Sequence, residues 1–192
     1  MIIGLCYIRT HSLGYVFPLY TMIFPPFTNL ITDRLVLREL RENDAEQIFK
    51  IRTDPRVNEF LDRGPTKSVD ESLKFINNIL KAQTNKDGMM WAITLKNEPQ
   101  LIGTAVYWHI EKEKDKAELG YEMLPEYFGQ GIMREALTEV VRFGFETMQL
   151  KTIVAETKGS NLRSVNALEK CGFVQTGKAN DGYLIYHLIN NL

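Results

Sequence analysis

Apolar and polar residues alternate along several short stretches of this chain, the first of which is residues 33–40, Asp-Arg-Leu-Val-Leu-Arg-Glu-Leu. Because successive side chains of a strand point to opposite faces of a sheet, this two-residue period is typical of a half-buried β-strand. Residues 96–100 suit a hairpin connection, and Asn-Asp-Gly at 180–182 is typical of a tight hairpin turn. The pattern predicts strands at residues 33–40, 90–95, 101–109, 117–124, 152–156, from 172–174 onward, and at 183–189.

Other stretches place apolar residues at the three- and four-residue spacing of an amphipathic helix. Ser68 and Glu71 have the spacing of a capping box, which predicts that a helix begins there. Pro55 interrupts the chain after the first helix, and a further short helix can follow it. The main helices are predicted at residues 44–53 (capped by Asn43 or Asp44), 68–84, 131–148 and 161–171, and the short one carries Val57, Phe60 and Leu61.

The predicted order is strand, two helices, three strands, helix, strand, helix and two strands. This order and the length of 192 residues fit a single domain of the α/β class. We expect a mixed, mostly antiparallel sheet of about seven strands flanked by about four helices. Residues 31–192 contain no linker, repeat or low-complexity tract and are assigned to this domain.

The N-terminal segment, residues 1–30, does not follow this pattern. Residues 12–32 contain no charged side chain, but three prolines divide them into pieces too short to span a membrane as a helix: Pro18, Pro25 and Pro26. A signal peptide is not indicated, because only Arg9 supplies positive charge and no small-residue cleavage site follows. We expect residues 1–30 to be an apolar arm that packs on the domain or on a partner subunit, or an artefactual extension with Met22 as an internal start.

The composition is that of an ordinary globular protein, with 44% hydrophobic and 24% charged residues. A net charge of -1 argues against a dedicated nucleic-acid binder. Cys6 and Cys171 lie far apart and no CxxC motif occurs, so we expect free structural thiols in a reducing compartment, the cytoplasm. No metal is expected, because the histidines lack a ligand spacing such as HExxH: His11, His109 and His187.

A glycine-containing segment, Pro-Glu-Tyr-Phe-Gly-Gln-Gly-Ile-Met-Arg at residues 125–134, joins the strand predicted at 117–124 to the long helix predicted at 131–148. Glycines at such a junction let the backbone approach a ligand closely. The unpaired N–H groups of the first helical turn, together with the helix dipole and Arg134, would then attract an anion. The alternative is a tight turn without a ligand, because short glycine motifs are weak signals. The stretch is neither a P-loop nor a Rossmann dinucleotide motif, since GxxxxGK[ST] and GxGxxG are absent.

A second segment, residues 161–173, Asn-Leu-Arg-Ser-Val-Asn-Ala-Leu-Glu-Lys-Cys-Gly-Phe, follows a predicted strand. In this order and at this distance the two segments resemble the GNAT acetyltransferase superfamily, and most closely its ribosomal-protein N-terminal acetyltransferase branch. The resemblance spans residues 33–188 and departs from the family loop Q/R-x-x-G-x-G/A at Phe128 and Met133, both of which this branch tolerates. Three shorter motifs add to it: Arg-Leu-Val-Leu-Arg at 34–38, Leu-Ile-Gly at 101–103 and Ala-Glu-Leu-Gly-Tyr-Glu at 117–122.

The resemblance implies the GNAT (acyl-CoA N-acyltransferase) fold, with acetyl-CoA as cosubstrate. In this fold two parallel strands splay apart and pantetheine lies in the gap, so the backbone of Glu122, Met123 and Leu124 is expected to bind it, and one N–H there to stabilise the oxyanion. Asn161 would anchor the pantetheine arm and Ser164 would hydrogen-bond the coenzyme sulfur, with helix capping as the alternative role for both. The resemblance places the coenzyme pyrophosphate on the backbone of Gly129, Gln130, Gly131, Ile132, Met133 and Arg134.

The implied reaction is direct attack of a neutral amine on the thioester, so a base must take a proton from the ammonium group. Glu118 and Glu122 share one face of their predicted strand, and either can be that base, directly or through water. A solvated or structural carboxylate is the alternative for each. Some relatives carry a tyrosine that acts as general acid where this chain has Leu168, which cannot donate a proton. Ser164 is therefore the residue expected to stabilise the leaving thiolate. Cys171 has no base indicated beside it and is expected to be a core thiol.

The branch resemblance implies a protein or peptide N-terminal α-amine as acceptor. The alternative acceptor is a small amine such as a polyamine, an aminoglycoside or an amino acid. A non-catalytic acetyl-CoA sensor or partner-binding domain is a third hypothesis, which the presence of Gly131 and Asn161 disfavours. The acceptor pocket would draw on residues 54–81, which vary freely within the fold, so the sequence separates the acceptor classes poorly. We expect neither nucleic acid nor a membrane as partner, and a homodimer is compatible with the sequence.

Overall fold

The structure is a computed structural model that describes residues 21–190. The expectations for Cys6, His11 and the start of the chain lie outside these residues. The described chain forms eight strands: β1 (Leu30–Ile31), β2 (Leu35–Glu39), β3 (Met89–Leu95), β4 (Glu98–Glu111), β5 (Lys116–Met123), β6 (Thr152–Lys158), β7 (Val174–Lys178) and β8 (Tyr183–Ile189). It also forms five α-helices: α1 (Ala45–Thr53), α2 (Pro55–Asn58), α3 (Val69–Thr84), α4 (Ile132–Glu146) and α5 (Leu162–Lys170).

All eight strands belong to one sheet in the order β1-β2-β3-β4-β5-β6-β8-β7, and every neighbouring pair is antiparallel except β5 and β6. The predicted α/β class and the mixed, mostly antiparallel sheet are therefore confirmed. The sheet has one strand more than expected because β1, with only two residues, pairs with β2 through Leu30 and Leu37. Two residues are too short for an alternating pattern. The additional helix is α2, the short helix expected after Pro55; it contains Val57 but ends at Asn58, so Phe60 and Leu61 lie outside it.

Helices cover the sheet on both faces and create two cores. The main core lies between the sheet and helices α4 and α5, and from β5 it takes Ala117, Leu119 and Met123. The second core lies under α1 and α3, where Ile48 and Ile76 are fully buried. Because side chains alternate along a strand, the even-numbered residues of β5 point to the face that carries α1 and α3. The two faces of β5 therefore serve two different sides of the molecule.

The predicted capping box is present at the start of α3, with a small shift. The Ser68 hydroxyl accepts a hydrogen bond from the Glu71 N–H at 3.2 Å. The Glu71 carboxylate accepts from the N–H of Lys67 at 2.8 Å, one residue before the cap. Two backbone N–H groups without a partner inside the helix thus receive a hydrogen-bond acceptor. These hydrogen bonds fix where α3 begins.

Part of the expected N-terminal arm is built into the domain. Met22 and Phe27 pack against the main core, and the ring of Phe27 lies 5.8 Å from that of Trp91. The indole N–H of Trp91 donates to the carbonyl of Thr28 at 3.1 Å, and the N–H of Met22 donates to the buried carboxylate of Asp115 at 2.7 Å. Residues 22–28 therefore contribute to the core beneath β3. Within residues 21–190, no helix is long and apolar enough to cross a membrane.

Candidate active site

Strands β5 and β6 are paired only where they begin. The paired positions are Lys116↔Thr152, Ala117↔Ile153 and Glu118↔Val154. Beyond them β5 continues beside β4 to Met123 and β6 continues beside β8 to Lys158, without pairing to each other. The two parallel strands therefore part after Glu118 and Val154 and leave two strand edges facing a gap. Such edges offer backbone hydrogen bonds to an extended ligand.

The register of β5 decides which backbone groups face this gap. The N–H of Leu124 donates to the carbonyl of Ile102 at 2.9 Å, and the carbonyl of Leu124 accepts from Tyr127 at 3.1 Å. Bonded and non-bonded pairs alternate along an antiparallel ladder, so the N–H and C=O groups of Tyr121 and Met123 point away from β4 and into the gap. The backbone N–H and C=O of Met123 are therefore directed toward the gap, as its predicted role requires. Both backbone groups of Leu124 are used within the protein, which differs from the expectation for that residue.

The glycine turn closes the end of β5 and starts α4. Gly129 and Gly131 both have a φ of 74°, in the left-handed region that favours glycine. Gly131 is the N-cap of α4, and no side chain caps the first turn of this helix. Ile132 is buried, so only its backbone can contact a ligand, and Met133 is half-buried against the main core. The uncapped N–H groups and the helix dipole together form a site suited to an anion.

Arg34, just before β2, holds this turn from the side. Its Nη1 donates to the carbonyl of Gln130 at 3.1 Å, and its Nε lies 2.6 Å from Oε2 of Glu135 in the first turn of α4. Burial alone would raise the pKa of Glu135, but hydrogen bonds from Thr32 and Arg34 outweigh it and the pKa lies below its usual value. Arg34 thus offsets a carboxylate that would repel an anion, and Arg134 is exposed in the same turn. The sequence motif contained Arg34 but suggested no role for it.

On the α5 side of the gap, Tyr121 meets Ser164. The phenol oxygen lies 2.7 Å from Oγ of Ser164 and 3.3 Å from its carbonyl oxygen. Burial raises the pKa of Tyr121 well above its usual value, although the hydrogen bond with Ser164 opposes this, so the phenol stays protonated at neutral pH. The Asn161 side chain accepts from the Ser164 N–H at 3.2 Å and caps α5. Leu168 is buried in the main core. Sequence reasoning missed Tyr121 because it lies 43 residues from Ser164 on another element.

Glu118 lies on the opposite face of β5, where the strands part. Its Oε2 is 2.9 Å from Nδ1 of His109, whose side chain is 71% exposed. His109 sits where β4 bulges, with a φ of 42°, and its ring stacks on Trp108 at 4.7 Å. Glu118 and His109 line an open cleft together with Val154 and Glu156. The second ring nitrogen of His109 and the second oxygen of Glu118 are therefore placed to take part in proton transfer. In the sequence, His109 had been considered only as a metal ligand.

Glu122 shares this face but has different surroundings. Nη2 of Arg63 lies 2.6 Å from its Oε2, and Nη1 of Arg52 lies 3.8 Å from its Oε1. The Glu122 side chain is only 11% exposed. Both of its oxygens therefore face a guanidinium group, whereas Glu118 is paired with a histidine and, among residues 21–190, forms no ion pair with an arginine or lysine. The two carboxylates predicted as candidate bases are thus distinguished by their partners.

Cys171, which ends α5, has the surroundings of a structural thiol. Burial raises the pKa of the Cys171 thiol, which keeps it protonated at neutral pH. Its Sγ lies 3.8 Å from the carbonyl oxygen of Arg134. A protonated thiol is a weak nucleophile. Among residues 21–190, no group of three His, Cys, Asp or Glu side chains could hold a metal ion.

Comparisons with known proteins agree with this geometry. A family model described as an acetyltransferase (GNAT) domain matches residues 34–174. The chain is 31% identical over 151 residues to the uncharacterized N-acetyltransferase YoaA of Bacillus subtilis, across 79% of this chain and 85% of that relative. It is also 31% identical over 174 residues to the ribosomal protein uS5-alanine N-acetyltransferase of Escherichia coli, across 83% of this chain and 85% of that enzyme.

A solved structure supports the fold independently. The ribosomal-protein-S5-alanine acetyltransferase from Vibrio fischeri superposes on this chain with a TM-score of 0.73. The two are 22% identical, and the alignment covers 86% of this chain and 98% of the other. At this level of identity the likeness concerns the fold alone.

Proposed function

This chain belongs to the GNAT acetyltransferase family and is an acetyl-CoA-dependent N-acetyltransferase, and from that premise we propose that it acetylates the N-terminal α-amine of a protein or peptide. The Escherichia coli relative, which is named for an alanine of a ribosomal protein, supports this acceptor class. The observation that carries the transfer chemistry is the parting of β5 and β6 beside an uncapped helix start. Because ribosomal proteins are made in the cytoplasm, we propose that the enzyme acts there.

The residues around the gap fit acetyl-CoA. The backbone of residues 129–134 would hold the pyrophosphate at the start of α4, with Arg134 adding positive charge. The C=O group of Met123 would accept a hydrogen bond from a pantetheine amide, and its N–H is left for the thioester carbonyl. The oxygen of Asn161 is used in capping, while its amide nitrogen has no hydrogen-bond partner among the described residues and is placed to anchor the pantetheine arm.

Proton removal is assigned to Glu118. Acetyl-CoA supplies the acetyl thioester, and the acceptor nitrogen forms a bond to its carbonyl carbon as the carbon–sulfur bond breaks. An α-amine with a pKa of about 8 is mostly protonated at neutral pH, so a base must first take a proton. Glu118 lies five residues, or about 16 Å along β5, from Met123, so it takes that proton through a chain of water molecules. We assign Glu118 rather than Glu122 because both oxygens of Glu122 face arginines.

Stabilisation of the leaving thiolate is assigned to Ser164 and Tyr121. The Ser164 hydroxyl donates to the sulfur, as the family resemblance implies. We assign Tyr121 as the donor in its 2.7 Å contact with Oγ of Ser164, which directs the serine proton into the gap and strengthens it as a donor. The N–H of Met123, which points into the same gap, stabilises the oxyanion that forms on the carbonyl oxygen. The sequence-based prediction named Ser164 alone for the thiolate, and this proposal adds Tyr121 as its hydrogen-bond partner.

Thiol release from acetyl-CoA tests the acceptor class. The panel contains ribosomal-type N-terminal peptides, the same peptides with a blocked N-terminus and an internal lysine, spermidine, and an aminoglycoside. Thiol release with the free peptides only, together with a mass increase of one acetyl group at the N-terminus, would support the proposal. Release with spermidine or the aminoglycoside but with no peptide would overturn it and assign the enzyme to small amines.

A further inference from the structure

On the acceptor side of the gap, two positive charges surround one negative charge. Arg52 of α1 and Arg63, between α2 and α3, both face Glu122 of β5, and the three side chains are 20%, 24% and 11% exposed. We call these residues the acceptor-side cluster. One carboxylate balances one guanidinium, so the acceptor-side cluster carries one surplus positive charge in a half-buried position. Leaving a charge unpaired in such a position is costly.

Neutral neighbours hold both arginines in place without balancing their charge. Nε of Arg52 donates to the hydroxyl of Thr66 at 3.2 Å, and its guanidinium lies 4.2 Å over the ring of Phe75. Nε of Arg63 donates to the amide oxygen of Asn58 at 3.1 Å. Each guanidinium is therefore fixed through its Nε and turns a terminal nitrogen toward Glu122.

The hydrogen bonding inside the acceptor-side cluster is incomplete. Nη2 of Arg63 is buried and lies 2.6 Å from Oε2 of Glu122, as an ion pair without good hydrogen-bond geometry. Burial lowers the pKa of Arg52; the charge of Glu122 opposes this shift and that of Arg63 adds to it. Two mutually repelling cations that share one carboxylate are expected where a ligand supplies a second anion.

The remaining acidic groups nearby do not balance the cluster. Two of them are paired with cations of their own: Asp54 with Arg56, and Asp62 with Lys158. Glu118, which lines the cleft with Glu156, lies four residues before Glu122, or about 13 Å along the strand. This face of the sheet therefore has an acidic end at Glu118 and Glu156 and a basic end at the acceptor-side cluster, next to Met123.

We propose that the acceptor-side cluster binds a carboxylate of the acceptor and so selects peptides with an acidic residue among the first three. This inference rests on the proposed function, in which the acceptor is a peptide α-amine. A carboxylate can accept from both guanidinium groups and completes the charge balance. Three extended residues span about 10 Å, so a carboxylate on any of them can reach the acceptor-side cluster from an amine held beside Met123. A polyamine would place a second cation against two arginines and is disfavoured.

Matched peptides test this selection. Peptides of one sequence carry aspartate, asparagine or lysine at the first, second or third position in turn, and kcat/KM is measured for each. We expect at least about a tenfold preference for aspartate over its isostere asparagine at one position, and a weaker preference at high salt. Arg63→Gln should reduce that ratio to about two or less by raising KM for the aspartate peptide, with KM for acetyl-CoA unchanged. Arg56→Gln is the control, because Arg56 is 60% exposed and already paired with Asp54.

Two further variants keep the test decisive if Arg63→Gln folds poorly, which thermal melting would reveal. Arg63→Lys keeps the charge but loses the two-pronged geometry, so part of the preference should remain. Arg63→Glu should favour the lysine peptide over the aspartate peptide. Arg52 is less suitable because its guanidinium packs on Phe75.

Each outcome separates this inference from the proposed function. Equal kcat/KM for aspartate and asparagine peptides at all three positions would overturn the inference and leave peptide acetylation standing. Turnover of free aspartate or glutamate but of no peptide would retain a carboxylate site and overturn the peptide acceptor. Efficient acetylation of spermidine without peptide turnover would overturn both.

Discussion

The guanidinium of Arg34 bonds the carbonyl oxygen of Gln130 at 3.1 Å, although the two residues are 96 positions apart in the sequence. The same side chain is paired with Glu135, in the first turn of α4. The contact turns a carbonyl, which would repel a phosphate, toward the side of the molecule where β2 begins. The shape of the pyrophosphate turn therefore depends on a residue outside it.

Replacing Arg34 with glutamine should raise KM for acetyl-CoA about tenfold and change kcat much less. Charge-assisted hydrogen bonds contribute about 1.5–3 kcal/mol, and the 49% exposure of Arg34 reduces that toward the value of about 1.4 kcal/mol that a tenfold change represents. Initial rates against acetyl-CoA concentration give both constants. Arg142→Gln is the control, because Arg142 pairs with Glu139 and Glu146 on the outer surface of α4. An unchanged KM in Arg34→Gln would rule out this positioning role.

Removing the Tyr121 hydroxyl should lower kcat and leave KM for acetyl-CoA nearly unchanged. In Tyr121→Phe the ring still packs, but Ser164 loses the partner that orients its proton, and we expect a loss of about 10–100-fold. Steady-state kinetics of Tyr121→Phe, Ser164→Ala and the double variant measure it, and the two losses should not add because the residues act as a unit. Tyr107→Phe is the matched control, since its buried hydroxyl bonds only the Val140 carbonyl. If the loss of kcat in the double variant equalled the product of the two single losses, the pairing of Tyr121 with Ser164 would be contradicted.

The rate loss of Glu118→Gln should depend on pH. At pH 7 the α-amine is mostly protonated and we expect kcat/KM to fall about 100-fold without the base. The neutral fraction of the amine rises about tenfold per pH unit below its pKa of about 8, so the defect should narrow toward pH 9. Profiles of kcat/KM from pH 6 to 9 test this. Glu156→Gln, which changes a neighbour in the same cleft, should follow the wild-type profile. A defect of constant size across the range would argue against Glu118 as base.

Asp115 should make stability depend on pH through its contacts with the first described residues. Burial alone would raise the pKa of Asp115, but Lys151 and the N–H groups of Thr21 and Met22 outweigh it, so the folded-state pKa lies below the unfolded one. Its contribution is therefore present above the unfolded pKa of about 3.9 and is lost as the pH falls through the folded-state value.

We expect Asp115→Asn to cost about 2–3 kcal/mol at pH 7, which corresponds to roughly 5–10 °C in Tm, and to cost much less near pH 3. Thermal unfolding followed by circular dichroism at both pH values measures the difference. Asp87→Asn, at an exposed turn, should leave Tm within about 2 °C of wild type. A Tm difference that is the same at both pH values would show that the lost charge is not the cause.

Much of the fold could be predicted from the sequence because local patterns encode it. The alternation in residues 33–40 and the capping box at Ser68 report directly which element forms, since each depends on neighbours within a few positions. The glycines of the turn at 129–131 could be recognised because only glycine readily adopts a φ of 74°. β1 could not be found, because a two-residue strand has no period and exists only through its pairing with β2.

The candidate site divides in the same way. The sequence by itself determined the glycine turn, the even spacing of Glu118 and Glu122, and the family. Only the tertiary structure decided that Glu122 lies between two arginines, that Glu118 meets His109, and that Tyr121 reaches Ser164. The physical reason is that backbone conformation and side-chain period are local properties of the chain. The partner of a charge or a hydroxyl is set by packing between elements that lie tens of residues apart, where no short pattern records which side chains will meet.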